Sequence, residues 1–530
     1  MMKKTFNMTD SDFQRKQKEG NEIVTAQIPL KLDEAHIKAL SAIVGPGNSQ
    51  TDTYTRIKYS YGKTMIDAMR LREGIIENLP DIVLHPRNRE DVQKIVSYCN
   101  DNKIAVYVVG AGSSVTRGFE GVKGGVSLAM ATHMKRVLNI NETDQTITVE
   151  PGIYGPVYED LLNNAPEKLG TKGRYTGGHF PQSFEFTTVG GWIAAVGSGQ
   201  QSSYYGDAYH IVIGQEIVTP SGTISTKDYP ACATGPKVND IIKGSEGAFG
   251  IITAVTLKIF KYMPQNRYKF SYVFKSWEDA VNAGREIAQG EFGSPSVFRI
   301  SDQEESDIAL KLYGVEGTVI DTLLKLRGFK PMQRCLFLGH TEGEKHFAKN
   351  VRKQVHKICK KYGAMSTTGY VVNGWEHGRY KDPYMREDLQ DFGIMTDTLE
   401  CTVKWSQLHF VHQEVRKFIK ERPGTICMTH GSHFYPQGTN LYFIFIVKMN
   451  DIEAYKKFQF GILDAIQKSG ASLSHHHGVG KMIAPWMEDH LGKEQLNLLR
   501  AIKKHLDPHN IMNPGGTLGL DLPDSEKRKA

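Results

Sequence analysis

Ala105-Val-Tyr-Val-Val109 runs straight into Gly110-Ala-Gly-Ser-Ser114. Four of the first five residues are β-branched or aromatic, the composition of a buried strand. Glycines directly after it let the main chain approach a ligand closely, and successive N–H groups on such a loop point at phosphate oxygens. Val115 stands where a third glycine of G-x-G-x-x-G would fall, and no P-loop lysine follows. A tight structural turn would carry the same letters. Two further stretches, Ser183-Phe-Glu-Phe-Thr-Thr-Val-Gly-Gly-Trp192 and Gly244-Ser-Glu-Gly-Ala-Phe-Gly-Ile-Ile252, shift the balance toward one long dinucleotide lined from several sides.

Outward from this stretch the text is β/α. Asp81-Ile-Val-Leu84 reads as a strand closed by Pro86, and residues 89–100 as a helix with apolar positions 92, 95 and 96 and Asn88 as cap. Strands are expected over 125–130, 146–150, 211–218 and 251–259. Beyond Met263-Pro264 amphipathic helices, 277–289 and 344–362, alternate with strands such as 334–339 and 440–448. Four units follow: an arm over 1–80 with a helix near 67–77, a nucleotide-binding domain over 81–265, a cap or substrate domain over 266–480, and a C-terminal segment over 481–530 returning to the first body. The fold class is α+β.

The composition excludes several classes. The chain has 530 residues, 40% apolar and 23% charged, a globular balance. No run reaches the ~18 apolar residues of a membrane span, and the N-terminus lacks the apolar core of a secretory signal. Six scattered cysteines without C-x-x-C spacing fit reduced thiols. A net charge of +7 permits anionic partners without demanding nucleic acid. Neither terminus carries a peroxisomal address, so a cytoplasmic location is expected. Residues 321–362 hold eleven Lys/Arg, with 349, 352, 353, 357 and 360 on one helical face; they are read as a peripheral contact for an anionic membrane.

Taken together, Pro86, Val109-Gly-Ala-Gly-Ser-Ser114, Thr188-Val-Gly-Gly-Trp192, Gly244-Ser-Glu-Gly-Ala-Phe-Gly250 and Asp507-Pro-His-Asn-Ile-Met-Asn-Pro-Gly515 resemble the vanillyl-alcohol-oxidase (PCMH-type) FAD-binding fold. The resemblance implies FAD bound by two α+β subdomains, with an α+β cap over the ring. It places flavin contacts at Pro86, Gly110, Ala111, Gly112, Ser113, Ser114, Thr188, Val189, Gly190, Gly191, Ser198, Glu246, Gly247, Gly250, Ile252 and Asn513. Covalent members commonly carry a His at the end of the first loop. This chain has Ser113-Ser114-Val115 there, so a noncovalent flavin is expected.

Ser474-His-His-His-Gly-Val-Gly-Lys481 separates the subfamilies. D-2-hydroxy-acid dehydrogenases of the superfamily have Glu-His-Gly where this chain has His476-His477-Gly478, and pair it with a metal-binding H-x-G-D-G-N-L-H. The corresponding text here, His433-Phe-Tyr-Pro-Gln-Gly-Thr-Asn-Leu-Tyr442, ends in a phenol, a poor metal ligand with an ordinary pKa near ~10. No metal is expected. The same residues resemble the alkylglycerone-phosphate synthase family, which carries the triple His, a Tyr like Tyr442, Gly178-His179, an Arg-Asp-Leu segment matched by Arg386-Glu-Asp-Leu389 with Trp405 beyond, and Arg299. Asn440 and Pro436 depart from residues that family can carry.

That resemblance implies exchange of the acyl chain of acyl-dihydroxyacetone phosphate for a fatty alcohol, with the flavin engaged covalently through N5 and no net redox change. Tyr442 is then the proton carrier, provided its surroundings lower its pKa, with His476 as acid/base or orienting partner. Arg386 would clamp phosphate or flavin. His179, Arg299, His475, His477 and Asn440 would lie on the substrate side, and a homodimer is expected. The alternatives are a flavin-dependent 2-hydroxy-acid dehydrogenase and an electron-transfer subunit.

Overall fold

Val126–Ala129 lies between Ile82–Leu84 and Val106–Val109 in a parallel sheet that Ser49–Gln50 extends antiparallel. The computed structural model describes residues 2–14, 22–367, 369–381 and 384–529. Parallel strands need cover on both faces. Helix Arg89–Asn102 supplies part of it with Val92, Ile95, Val96 and Cys99, and helix Glu34–Val44 adds Leu40 and Val44. Asn88 caps the former as expected, accepting from Asp91 N at 2.9 Å. A second sheet, antiparallel, runs Val137–Asn141, Thr146–Val149, Ile251–Lys258, Val212–Thr219, Gly222–Ser225. Both sheets precede residue 260; the first glycine loop leaves strand Val106–Val109, the second opens helix Val189–Ala194, and the third leads into strand Ile251–Lys258.

The remaining sheet has seven antiparallel strands in the order Met365–Ser366, Tyr268–Phe274, Cys335–Thr341, Val297–Ser301, Ile426–Tyr435, Gly438–Lys448, Ile394–Lys404. Alternation along each strand sorts its two faces. At the far edge Leu399, Cys401, Val403, Leu441, Phe443 and Phe445 pack beneath helices Leu408–Glu421 and Ile452–Lys468. The intervening polar positions therefore emerge on the other face. Register then lines up Glu400 opposite Tyr442, and Tyr442 opposite His430. That row is the floor of the site.

Two expectations need correction. The helix placed at 67–77 is Met65–Arg72, started by Thr64, whose hydroxyl accepts from Asp67 N (2.9 Å), and followed by Gly74 at φ 71°. Of the arm, residues 15–21 lie outside the described residues. The basic stretch 321–362 is not one surface: Arg334 is 3% exposed and paired with Asp307 and Asp321. Helix Lys345–Lys361 packs with Phe270, Tyr272 and Phe274, whereas helix Val319–Leu326 packs with Val273 and Leu336. Neighbouring residues of one strand point to opposite faces, so the two halves of the stretch are separated by the sheet.

Arg56, 2% exposed, secures the arm by donating to the carbonyls of Pro80 (2.6 Å), Ile28 (2.6 Å) and Pro29 (3.3 Å). Arg56→Met keeps apolar volume and strands those acceptors. Unfolding monitored by heat or urea is expected to reveal a loss of roughly 2–3 kcal/mol; an unchanged midpoint would show that the arm is not anchored there.

Candidate active site

A Cβ on Gly110 would come within 2.3 Å of Thr188 Oγ1, so the first two glycine loops touch where only glycine fits. Thr188 also caps helix Val189–Ala194, accepting from Gly191 N (3.4 Å). The third loop joins through Glu246, held at φ 48°. Its carboxylate accepts from Val479 N and Gly480 N, both at 2.6 Å, and its carbonyl from Asn513 Nδ2 at 2.6 Å. Asn513 also donates to Gly118 O (2.7 Å) and accepts from Lys481 Nζ (2.7 Å). Withdrawal from water pushes Glu246 up to about 7 and Lys481 down to about 8. Thus the stretches bearing Gly110–Ser114, Thr188–Gly191, Glu246–Gly250, Gly478–Lys481 and Asn513 converge. Ala111, Gly112, Ser113, Ser114, Val189, Gly190, Gly247 and Gly250 lie within them, and Pro86 is buried just past its strand. Ile252 packs in the core of the five-stranded sheet, and Ser198 is buried on the wall of the cavity described below.

Glu400 organises the histidine run. Its carboxylate, 2% exposed, accepts from the backbone N–H of His475 (2.7 and 2.9 Å), His476 (3.1 Å) and His477 (3.1 Å), from Ser474 Oγ (2.7 Å) and from Asn440 Nδ2 (2.8 Å). Burial works to raise its pKa, but His477, His475 and these hydrogen bonds hold it below the usual carboxylate range. The tight wrap explains how three consecutive histidines serve one site: His475 Nε2 meets Tyr435 Oη (2.8 Å), His475 Nδ1 meets His476 Nδ1 (3.0 Å), and His477 Nε2 lies 3.4 Å from Tyr442 Oη. Burial and the neighbouring imidazoles keep His476 neutral, well below its ordinary pKa. His433, at φ 53° beside a register shift between Ser432 and Tyr435, bonds Ser202 Oγ (2.7 Å) and brings its ring 4.9 Å from His475 and 5.0 Å from His476. Ligand atoms of His433, His475 and His476 all lie within 4.8 Å of one another, a grouping that could hold a metal ion.

Tyr442 stacks on His430 at 4.9 Å and donates to Thr398 Oγ1 (3.1 Å). The condition of a lowered pKa is not met: burial pushes the phenol up to about 12, with Glu400 and Asp397 adding to the shift. His430 Nδ1 lies 3.1 Å from Glu305 Oε2 and 3.1 Å from Arg299 Nη2, and Arg299 is ion-paired with Glu305. Burial opposes ionisation of Glu305, yet His430 and Arg299 hold it at about 2. Arg299, His430, Tyr442 and His476 share the wall of one cavity of about 40 Å³. Arg386 sits on helix Met385–Gln390, donates to the Lys63 carbonyl and is close enough for its charge to act on Tyr442 and His477. Asn440, fully buried, gives its amide to Glu400. His179 is 2% exposed, rests 4.6 Å from Trp192, and is lowered to about 4 by burial.

Glu400, Glu305 and His430 were not anticipated, and His433 was noted only as a motif match. A signal existed for one of them: His430 stands three residues before His433.

Two family models match most of the chain: one described as FAD binding domain, over residues 80–227, and one as FAD linked oxidases, C-terminal domain, over 263–517. The solved p-cresol methylhydroxylase has the same fold, at a TM-score of 0.66 and 17% identity over 92% of this chain and 98% of that one. The class is therefore the FAD-linked oxidase fold of PCMH type. Alkyldihydroxyacetonephosphate synthase of Dictyostelium discoideum is 32% identical over 506 residues, 92% of this chain and 81% of its own length. A solved alkyldihydroxyacetonephosphate synthase aligns with a TM-score of 0.79 and 30% identity, over 94% of this chain and 89% of that one. The chain belongs to the alkyldihydroxyacetonephosphate synthase family.

FAD is its cofactor, and the residues present fit it. The glycine stretches form a cradle that side chains would fill, and both ring nitrogens of His179 and Nε1 of Trp192 are buried without a hydrogen-bond partner among the described residues. Such atoms call for a polar ligand. No His follows Gly112 in the first loop. Acid precipitation of the holoenzyme is therefore expected to release yellow FAD into the supernatant; colour retained by the washed pellet would contradict noncovalent binding.

Proposed function

We propose that this chain exchanges the acyl chain of acyl-dihydroxyacetone phosphate for a fatty alcohol and so forms the ether bond of ether lipids. The C–O bond to the fatty acid breaks, the alcohol oxygen forms the new one, and no electrons are gained or lost overall. The observation that carries this reading is the line Tyr442 Oη, His477 Nε2 at 3.4 Å, and Glu400 Oε1 at 3.9 Å from His477 Nδ1. Such exchange needs a proton moved next to the ketone, and a phenol held at about 12 is a weak base alone. It can receive that proton as its own passes to His477, where the Glu400 charge partly offsets the burial that lowers the imidazole's pKa. FAD, when bound, supplies an electrophilic ring that allows covalent rather than redox catalysis.

The other side chains take supporting parts. His476, neutral and in the cavity wall, is the second proton carrier. Asn440 positions the loop through Glu400, while Arg299, His475 and His430 present polar edges where charge develops on substrate. His179 stays neutral and gives the flavin or substrate a hydrogen-bonding edge. Arg386 supplies positive charge beside Tyr442. The exposed Lys349, Arg352, Lys353, Lys357 and Lys360 support peripheral contact with anionic lipid, at roughly 1 kcal/mol per charge near the surface. No helix among the described residues is long and apolar enough to cross a membrane.

Tyr442→Phe keeps the ring and removes the hydroxyl. Ether formation is expected to fall 10²–10⁴-fold, about 3–5 kcal/mol of barrier, with the flavin spectrum unchanged. A variant retaining more than about a third of the rate, a deficit below ~1 kcal/mol, would remove Tyr442 from the chemistry.

A metal-dependent dehydrogenation would instead use the His433, His475 and His476 grouping. Activity is expected to survive dialysis against EDTA. Loss of activity restored by zinc or manganese would favour the dehydrogenase.

A further inference from the structure

We infer that Arg379 binds the phosphate monoester of the substrate, an assignment that rests on the synthase reading. Arg379 follows helix Tyr370–Gly378, and its guanidinium is enclosed by three rings: Tyr380 at 4.6 Å, Trp375 at 5.4 Å and Phe180 at 5.8 Å. A guanidinium carries five N–H donors. Here one hydrogen bond is made, from Nη1 to Gln200 Oε1 at 3.2 Å, and no carboxylate lies within 4.0 Å among the described residues. Gln200 and Trp375 both line the cavity that holds Tyr442 and His476. The cation is therefore in contact with two residues of that cavity's wall.

The acids whose charge reaches Arg379 are already committed. Glu342 pairs with Arg267 (2.8 Å) and accepts from Tyr205 Oη (2.9 Å); Glu376 pairs with Lys269 (2.5 Å) and faces His340 at 3.3 Å. Arg267 adds positive charge to the same region. Of the other arginines near the site, Arg299 is ion-paired with Glu305, and Arg386 lies on the Tyr442 side, bonded to the Lys63 carbonyl. Beside Arg379, Tyr380 Oη is buried without a hydrogen-bond partner among the described residues. A cation withdrawn from water without an ion pair is costly unless an anion completes it. The planar fork matches phosphate oxygens in a bidentate manner, and the aromatic cage fixes its plane before the ligand arrives.

The test compares FAD-loaded full-length wild type, Arg379→Gln and Arg379→Lys. At saturating fatty alcohol, Arg379→Gln is expected to raise KM for acyl-dihydroxyacetone phosphate roughly tenfold to a hundredfold, with KM for the alcohol and the flavin spectrum unchanged. Arg379→Lys recovers part of the loss. Calorimetric titration with inorganic phosphate, which needs no turnover, is expected to show binding to wild type that weakens at least about tenfold in Arg379→Gln. Unchanged KM together with unchanged phosphate binding in both variants would overturn the assignment. If Arg379→Gln fails to hold FAD, Arg379→Lys decides: a KM raised severalfold supports the site, and a wild-type KM with wild-type phosphate affinity refutes it. Wild type that forms no ether defeats the synthase reading, whereas phosphate titration still judges Arg379.

Discussion

The Glu400 carboxylate is the constraint on which the histidine site depends. A charge 2% exposed survives only if its lone pairs are filled, and here the backbone of His475, His476 and His477 fills most of them. The chain must curl around the carboxylate to do so. Curling sends three neighbouring imidazoles in different directions, toward Tyr435, toward His433 and toward Tyr442. The same negative charge partly offsets the burial that holds His477 below its ordinary pKa, next to the phenol that would hand over its proton. One buried acid thus sets the shape of the loop and acts on the imidazole beside the phenol.

The residues after this loop connect it to the nucleotide side. Val479 N and Gly480 N donate to Glu246, whose carbonyl accepts from Asn513, and Lys481 Nζ donates to the Asn513 side chain. Gly480 packs so that a Cβ would lie 2.0 Å from Thr116 O, and Gly478 so that one would lie 2.3 Å from Glu246 Oε1. The histidine run is therefore followed within a few residues by two glycines, Gly478 and Gly480, that bring the turn against the first and third glycine loops. Displacing either group would move the other.

Parts of this arrangement were legible from residue order and parts were not. The strand before Gly110 and the helix after Asn88 carried strong local signals, apolar runs and a capping side chain, and both formed where expected. Tyr442 and the triple His stood out by motif. Glu400 did not, because its importance arises from register: only pairing with strand 438–448 places it opposite Tyr442. Asn440 looked substrate-facing from its place near Tyr442, but the pleat turned its amide to Glu400. The basic run is divided for the same reason. Charge counted along the chain cannot show that Arg334 is internal or that a sheet separates the two halves. Residue order could not show the phenol's titration either, because burial outweighs the nearby Arg386 charge.

The most direct measurement is anaerobic mixing of FAD-loaded enzyme with acyl-dihydroxyacetone phosphate and fatty alcohol, in parallel with D-lactate, while flavin absorbance and products are followed. The expected result is ether phosphate and free fatty acid in equal amounts, with oxidised flavin at the end of turnover and no reduction by lactate. Net flavin reduction by D-lactate without ether product would contradict the assignment.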